Sequence, residues 1–412
     1  MAVSGDQYRS ELLDGTLPFW LNHGLDREYG GILTCLDRDG NIYDTDKSVW
    51  FQGRFGWLLS TLFLEVEPRE SWLEAAKSCV DFLRQHCRDT DGRMFFTVTR
   101  EGRPLRKRRY LFSEMFAAMS FAAFGSAAAD EQAITESLEI FRNAAVCMTS
   151  PGGIEPKTIP ETRATVSLAG PMIILGAAQA IRRSLKQSGH LTQAVGQELD
   201  GMAADAVASL ERLFVCWELE AVLETVSVDG SPLLDHADGR LVNPGHAIEA
   251  AWFVMAEGSH QNDLRLIELG ATMLRWSWRL GWDPLCGGLF YFRDIRGLPC
   301  TEYWHDMKFW WPHTEAEIAT LMAWRLTGDD EFGRLYREVH DWSRRRFADP
   351  VEGEWYGWLR RDGEPTHHAK GSLWKGPFHL PRMQLICWQL LENPAAWLPG
   401  ITQSWPLNQS GA

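Results

Sequence analysis

DPLCGGLFYFRDIRG, Asp283 to Gly297, is the stretch of sequence that decides the fold. An acidic residue and a Gly pair open it, a short aromatic run follows, and a polar residue and Gly close it. That is hairpin composition: Gly supplies the positive φ that tight turns require, and aromatic residues favour extended backbone. The same punctuation recurs as DREYGGILTCLDRDG (Asp26 to Gly40), DTDGRMFFTVTREG (Asp89 to Gly102), WELEAVLETVSVDG (Trp217 to Gly230) and DPVEGEWYGWLRRDG (Asp349 to Gly363). A degenerate sixth copy, SPGGIEPKTIPETR, fills the gap from Ser150 to Arg163. Successive copies lie roughly 60 to 70 residues apart, which leaves room for two helices between neighbours.

The intervening segments read as those helices. Ser71 to Cys87 begins on a serine cap and carries Trp72, Ala75, Ala76, Cys79, Val80 and Leu83 at helical spacing, whereas Trp50 to Glu65 is apolar on nearly every side. One helix of each pair is therefore half exposed and the other enclosed. Six such pairs close into two concentric rings, so the expected fold is all-α: an (α/α)₆ barrel of six helix pairs with short β-hairpins between helices. An open solenoid of helix pairs is the alternative, but it leaves inner helices this apolar unexplained. With no linker or low-complexity stretch, residues 1–412 read as a single catalytic domain.

Composition narrows the partners. A net charge of −14 and a pI near 5.4 argue against nucleic acid or an anionic membrane, both of which call for a basic surface. A small neutral ligand fits better, and twenty tryptophans supply rings that can stack on the C–H face of a sugar. The cysteines (Cys35, Cys79, Cys87, Cys147, Cys216, Cys286, Cys300 and Cys387) form no Cys-x-x-Cys pair, so they read as free thiols of a reducing compartment. The first residues lack the basic and apolar regions of a secretory signal, and no uncharged apolar run reaches the roughly 18 residues of a membrane span. The expected location is cytoplasmic.

Counting forward from the closing glycines locates the chemistry. His246, His313 and His379 each fall sixteen residues after Gly230, Gly297 and Gly363, which predicts three imidazoles at the mouth of the barrel. Arg54, fourteen after Gly40, and Glu315, two beyond His313, share that end. In NPGHAIEAAWF, Asn243 can cap a helix that starts at Pro244, so His246 sits in the first turn, where the helix dipole disfavours imidazolium and keeps the ring neutral. Glu249 shares its helix face. His379 lies ahead of Pro381, the expected start of the last inner helix, and so on a loop.

Two imidazole bases on opposite sides of a cavity suit removal of a weakly acidic C–H proton from one face and its return to the other. That is epimerisation next to a carbonyl, through an enolate whose oxyanion Arg54 is placed to stabilise; the competing reading makes Arg54 a structural ion-pair partner. Trp311 and Trp374 flank the histidine loops as stacking platforms or as core. No His-Glu-x-x-His or Cys-x-x-Cys element supports a metal, and the adjacent His367 and His368 read as exposed. Neither a dinucleotide fingerprint nor a P-loop is present.

KSVWFQGRFGW, GRLVNPGHAIEAAWF, WHDMKFWWPHTEAEIATLM (Trp304 to Met322) and LWKGPFHLPR together resemble the N-acylglucosamine 2-epimerase family, also called renin-binding protein, from about Leu17 to Leu391. The resemblance implies an (α/α)₆ barrel, a homodimer, and metal-independent interconversion of N-acetylglucosamine and N-acetylmannosamine. It assigns the acid/base pair to His246 and His379, sets Arg54, Glu249, Glu315, Trp311 and Trp374 around the sugar, and leaves His313 behind the site. Members of that family often need a nucleotide such as ATP as an activator that is not consumed. Here the Ser150 to Arg163 loop has two prolines after its Gly pair and the single lysine Lys157, a poor phosphate site, which argues against ATP dependence. Three rivals remain open: an epimerase or aldose–ketose isomerase of unacylated sugars such as mannose, an inverting glycoside hydrolase, which would need a carboxylate pair, and a protein-binding role.

Overall fold

Helices of two kinds alternate along this chain, and the placement of apolar residues separates them. The computed structural model describes residues 3–108, 110–150 and 152–399; the ends of the one-domain reading, residues 1, 2 and 400–412, lie outside them. The N-terminal α1 (Gly5–Ser10) continues through a π-helical turn, Glu11–Thr16, into α2 (Leu17–His23). Then come α3 (Val49–Glu65) and α4 (Glu70–His86), α5 (Phe112–Ala128) and α6 (Glu131–Thr149), the single turn α7 (Pro160–Arg163), and α8 (Ala169–Gln187) with α9 (Gln193–Phe214). The single turn α10 (Ala237–Arg240) precedes α11 (Pro244–Gln261) and α12 (Leu264–Gly281), and α13 (Trp310–Thr327), α14 (Asp330–Arg346) and α15 (His379–Glu392) complete the series.

In α3 every residue from Phe51 to Leu62 is buried, whereas α4 buries Trp72, Ala75, Ala76, Cys79, Val80 and Leu83 on one face and leaves the other to solvent. An all-round apolar helix is stable only inside a second layer. Accordingly α3, α5, α8, α11, α13 and α15 form an inner ring, each packed on the next, with α4, α6, α9, α12, α14 and the α1–α2 segment outside. Phe378, at the head of α15, closes the ring on Trp57 of α3 with ring centroids 5.6 Å apart. The fold is the expected (α/α)₆ barrel. Among the described residues no helix is long and apolar enough to cross a membrane, and all eight cysteines are free thiols.

Three local expectations are corrected. Arg69, not a serine, precedes α4, and no side chain caps it. The Ser150 to Arg163 stretch makes a turn and α7 rather than a hairpin, and the following Thr165–Ser167 strand pairs with Thr225–Ser227 of the next repeat. Its prolines explain this, since Pro offers no N–H to a ladder. Helix α15 begins at His379 itself; Pro381 sits in its first turn, where a missing N–H costs nothing.

The hairpins are tied together by a repeated charge motif. Asp26, Asp283 and Asp349 each open a hairpin, and each receives a buried lysine from the segment leading to the next inner helix: Lys47 at 2.9 Å, Lys308 at 3.2 Å and Lys370 at 2.9 Å. Each also takes an arginine two residues before a closing glycine: Arg100 at 3.0 Å, Arg361 at 2.8 Å and Arg38 at 2.7 Å. Arg38 belongs to the first hairpin and Asp349 to the last, so this pair closes the rim on which the site is built. Arg38, against the opposing effect of burial and with help from Lys370, holds the Asp349 carboxyl well below the usual carboxylate range. The stabilisation is therefore complete above the ordinary carboxylate pKa near 4 and is lost as pH falls below it. Asp349→Ala leaves Lys370 buried without its counter-charge, and an expected loss of about 3–5 kcal/mol is measurable by denaturant unfolding at neutral pH. At pH 2 the difference from the wild type should shrink.

Candidate active site

Loops carrying Trp304, Trp358, His367 and Trp374 form the rim of a cavity of about 1580 Å³ that runs down between the inner helices as far as Gln179 and Ile386. His246 and His379 both line it. The Asn243 side chain accepts from the His246 backbone N–H at 3.1 Å, capping α11, and Pro244 occupies the first helical position. The local reading of that segment was sound, but its electrostatic consequence is reversed. Burial opposes a charge on the His246 ring, yet Glu224, both of whose oxygens lie 3.1 Å from Nδ1, more than offsets it, and Glu249 adds to the effect. The His246 pKa is raised above its ordinary value. A carboxylate at hydrogen-bond distance outweighs the partial charge of a helix end.

His379 is shifted the other way. Its Nδ1 lies 2.8 Å from Glu315 Oε1, but that oxygen also takes Arg382 at 2.6 Å, and the other oxygen takes the Trp252 indole N–H at 2.9 Å. Arg382 bonds Glu249 as well, at 2.7 Å. Burial, then the positive charges of Arg382 and Arg54, hold the His379 pKa well below the usual imidazole value. Arg382 Nη2 also lies 3.3 Å from Nδ1, but the carboxylate contact is the shorter of the two; since a carboxylate only accepts, Nδ1 carries the proton and Nε2 is left bare.

Trp311 touches both imidazoles. Its ring centroid is 5.0 Å from His246, at 35°, and 5.8 Å from His379, at 40°. Glu249 lines the cavity, whereas Glu315 is fully buried behind His379 and does not reach it. Arg54 also lines the cavity, its guanidinium carbon 4.0 Å from the Phe116 ring centroid and 4.5 Å from that of Phe378. Among the described residues it makes no ion pair, and its Nε has no hydrogen-bond partner. Burial, then Arg382, lower its pKa to about 9, so it remains charged at neutral pH. Trp374 stands at the rim, 46% exposed, against Phe96 and Trp50.

His313 does not join the mouth. It is fully buried, Nε2 accepting from the Leu289 N–H at 2.8 Å, Nδ1 lying 2.6 Å from the Phe309 carbonyl, and its ring stacked on Trp342. Burial lowers its pKa to about 3. Gln52 and Glu114 serve other repeats in the same way, accepting from Ile32 N at 2.8 Å and Met94 N at 2.7 Å. His313 is thus a hairpin anchor, and Gly288 must be glycine beside it, because a Cβ there would lie 2.9 Å from Nε2 and 2.6 Å from Trp342. Equal counts from the closing glycines mislead because the connecting loops differ: His246 is the third residue of α11, His313 the fourth of α13 and His379 the first of α15.

Two groups escaped the sequence reading. Arg382 lies within LWKGPFHLPR, three residues past His379, and Glu224 lies in a hairpin read only as punctuation. Glu249, Glu315 and His379 bring ligand-type atoms close enough together to hold a metal ion, and the Arg382 guanidinium already bridges the two carboxylates. A second cluster, Asp200, Glu257 and His260, is occupied in the same way by Arg182. His367 and His368 are exposed, as expected.

An (α/α)₆ barrel holding two oppositely biased imidazoles in one cavity, with a guanidinium that has no ion-pair partner among the described residues, has the fold and site of an enzyme of the helical-barrel class. The chain belongs to the N-acylglucosamine 2-epimerase family, whose family model matches residues 30–379. It is 36% identical over 387 residues to the N-acylglucosamine 2-epimerase of Bos taurus, covering 92% of this chain and 90% of that protein. In structure it resembles the cellobiose 2-epimerase of Bacillus thermoamylovorans, with a TM-score of 0.79 at 19% identity, covering 93% of this chain and 98% of that one. A D-mannose isomerase shares the fold with a TM-score of 0.78 at 16% identity, covering 94% and 98%.

Proposed function

We propose that this chain is an N-acyl-D-glucosamine 2-epimerase, interconverting N-acetylglucosamine and N-acetylmannosamine by proton transfer at C2 of the ring-opened sugar. The observation that carries the reading is the pair of imidazoles flanking Trp311, one biased toward the neutral form and one toward the charged form. One ring takes the C2 proton, the C–H electron pair moves into the C1 carbonyl to give an enolate, and the other ring returns a proton to the opposite face of C2. Arg54, charged and unpaired on the cavity wall, stabilises the oxyanion at O1. Glu249 takes a sugar hydroxyl, Trp311 and Trp374 stack on the chain of the sugar, and Glu315 holds the His379 ring.

Arg382 supplies the positive charge that a metal would bring between the carboxylates, which supports a metal-independent reaction, and the single lysine of the Ser150 to Arg163 loop argues against dependence on a nucleotide. On the family resemblance, the working form is a cytoplasmic homodimer. Unacylated sugars are the second reading, favoured by the shared fold with a D-mannose isomerase. Incubation with N-acetylmannosamine and with mannose in D₂O, followed by proton NMR, decides between them. The expected result is deuterium at C2 and the N-acetylglucosamine epimer from the first, little change in the second, and the same rate with added ATP or EDTA. Turnover of mannose alone would overturn the N-acyl assignment.

A further inference from the structure

The two histidines have carboxylate partners of opposite standing. Glu315 is shared: Arg382 and the Trp252 indole bind it along with His379, so its charge is already answered. Glu224 is not shared. Among the described residues no lysine or arginine lies within ion-pairing distance of it, and both its oxygens face the one nitrogen, His246 Nδ1, at 3.1 Å. Glu224 belongs to the hairpin ahead of α11, with its side chain only 15% exposed, so the rim and not the histidine's own helix aims it.

We propose that Glu224 is the positioning residue that makes His246 the proton donor of the pair, by turning its Nε2 toward the cavity and lending the ring an unshared negative charge. The assignment rests on the two-histidine reading above. Other groups bear on His246 from every side: Glu249 on α11, Lys157 on the loop after α6, Tyr291 beside Glu224 in the next hairpin, and His379 at the head of α15 with Arg54 and Arg382 around it. Lys157 works against a proton on His246, and Glu249 is already engaged by Arg382. That leaves Glu224 as the group that decides.

The resting enzyme then holds one proton on the pair, at His246, with His379 bare. In one direction His379 removes the C2 proton and His246 supplies the other, and solvent exchange restores the starting form. No net proton or electron is consumed. The reactive form persists from the low pKa of His379 to the raised pKa of His246, so kcat/KM forms a plateau across neutrality and falls on the alkaline side when His246 loses its proton.

Glu224→Gln is the test, because the amide oxygen still accepts Nδ1–H and keeps the ring's pose while the charge is gone. The alkaline limb is expected to move to lower pH by about one unit, a roughly tenfold loss of kcat/KM at pH above the new limb with activity near pH 6 retained. Glu224→Asp should restore part of the shift. Imidazole ¹⁵N NMR titration of His246 in the wild type and in Glu224→Gln reads the same change without turnover, and should show Nδ1–H in both. An unmoved limb and an unmoved His246 titration, with activity lowered equally at all pH, overturn the role of Glu224 alone. Full epimerisation by His246→Asn would instead overturn the two-histidine reading beneath it.

Discussion

Replacement of either His246 or His379 by Asn is expected to lower epimerisation by about 10²–10⁴-fold, the scale of a lost general acid or base. The informative measurement is deuterium exchange at C2 from each epimer separately. In the proposed mechanism each imidazole serves one face, so a variant that keeps one base can still remove the proton presented to it and return solvent deuterium to the same face. His246→Asn should thus wash out the C2 hydrogen of one epimer without making product, and His379→Asn should do so with the other. Because the rings share Trp311 as a common wall, neither variant removes the floor of the site, and KM should change far less than kcat. Loss of exchange from the same epimer in both variants would mean one base acting with a passive neighbour, and the two-face mechanism would fail.

What the sequence disclosed and what it withheld divide along the range of the interactions. The hairpins and the contrast between an enclosed α3 and a half-exposed α4 are local patterns, written in Gly placement and helical periodicity, and they were sufficient for the barrel. The Asn243 cap and Pro244 were local too. His313 went astray because counting along the chain assumes equal loops, and a residue's role depends on its place in the helix and on what stands opposite. His313 stands opposite Leu289 and Trp342, not the cavity. Some of the histidines' surroundings are distant in sequence: Glu315 is 64 residues from His379 and Glu249 is 133 from Arg382, whereas Arg382 is three from His379 and Glu224 is 22 from His246. The distant pairs are announced by no single stretch. The Asp–Lys–Arg motif of the rim was within reach, since its arginines recur two residues before closing glycines at Arg38, Arg100 and Arg361.

Arg382 carries the second large effect, and it acts on stability and chemistry together. Its guanidinium is the cation shared by Glu249 and Glu315, 7% and 0% exposed, at 2.7 and 2.6 Å. Arg382→Met keeps the volume but strands two carboxylates in the barrel interior. A broken buried pair costs on the order of 3–5 kcal/mol, so the midpoint of denaturant unfolding should fall clearly at pH 7. Part of that loss should return as pH drops and the stranded carboxylates take up protons, the reverse of the acid sensitivity expected of the rim. Chemistry changes for a separate reason. After burial, Arg382 is the main influence holding His379 neutral. Without it, and with Glu315 left to His379 and the Trp252 indole, the ring gains a proton more readily and the acid limb of kcat/KM moves up in pH. Arg382→Lys tests whether charge alone is enough: a single nitrogen, Nη2, meets both carboxylates, so an ammonium at that place keeps both contacts, and stability and the pH profile should recover together. If Arg382→Met unfolds at the wild-type midpoint and keeps its pH profile, the bridge seen between α11, α13 and α15 contributes neither to holding the inner ring nor to setting the base, and the electrostatic account of the site fails at its centre.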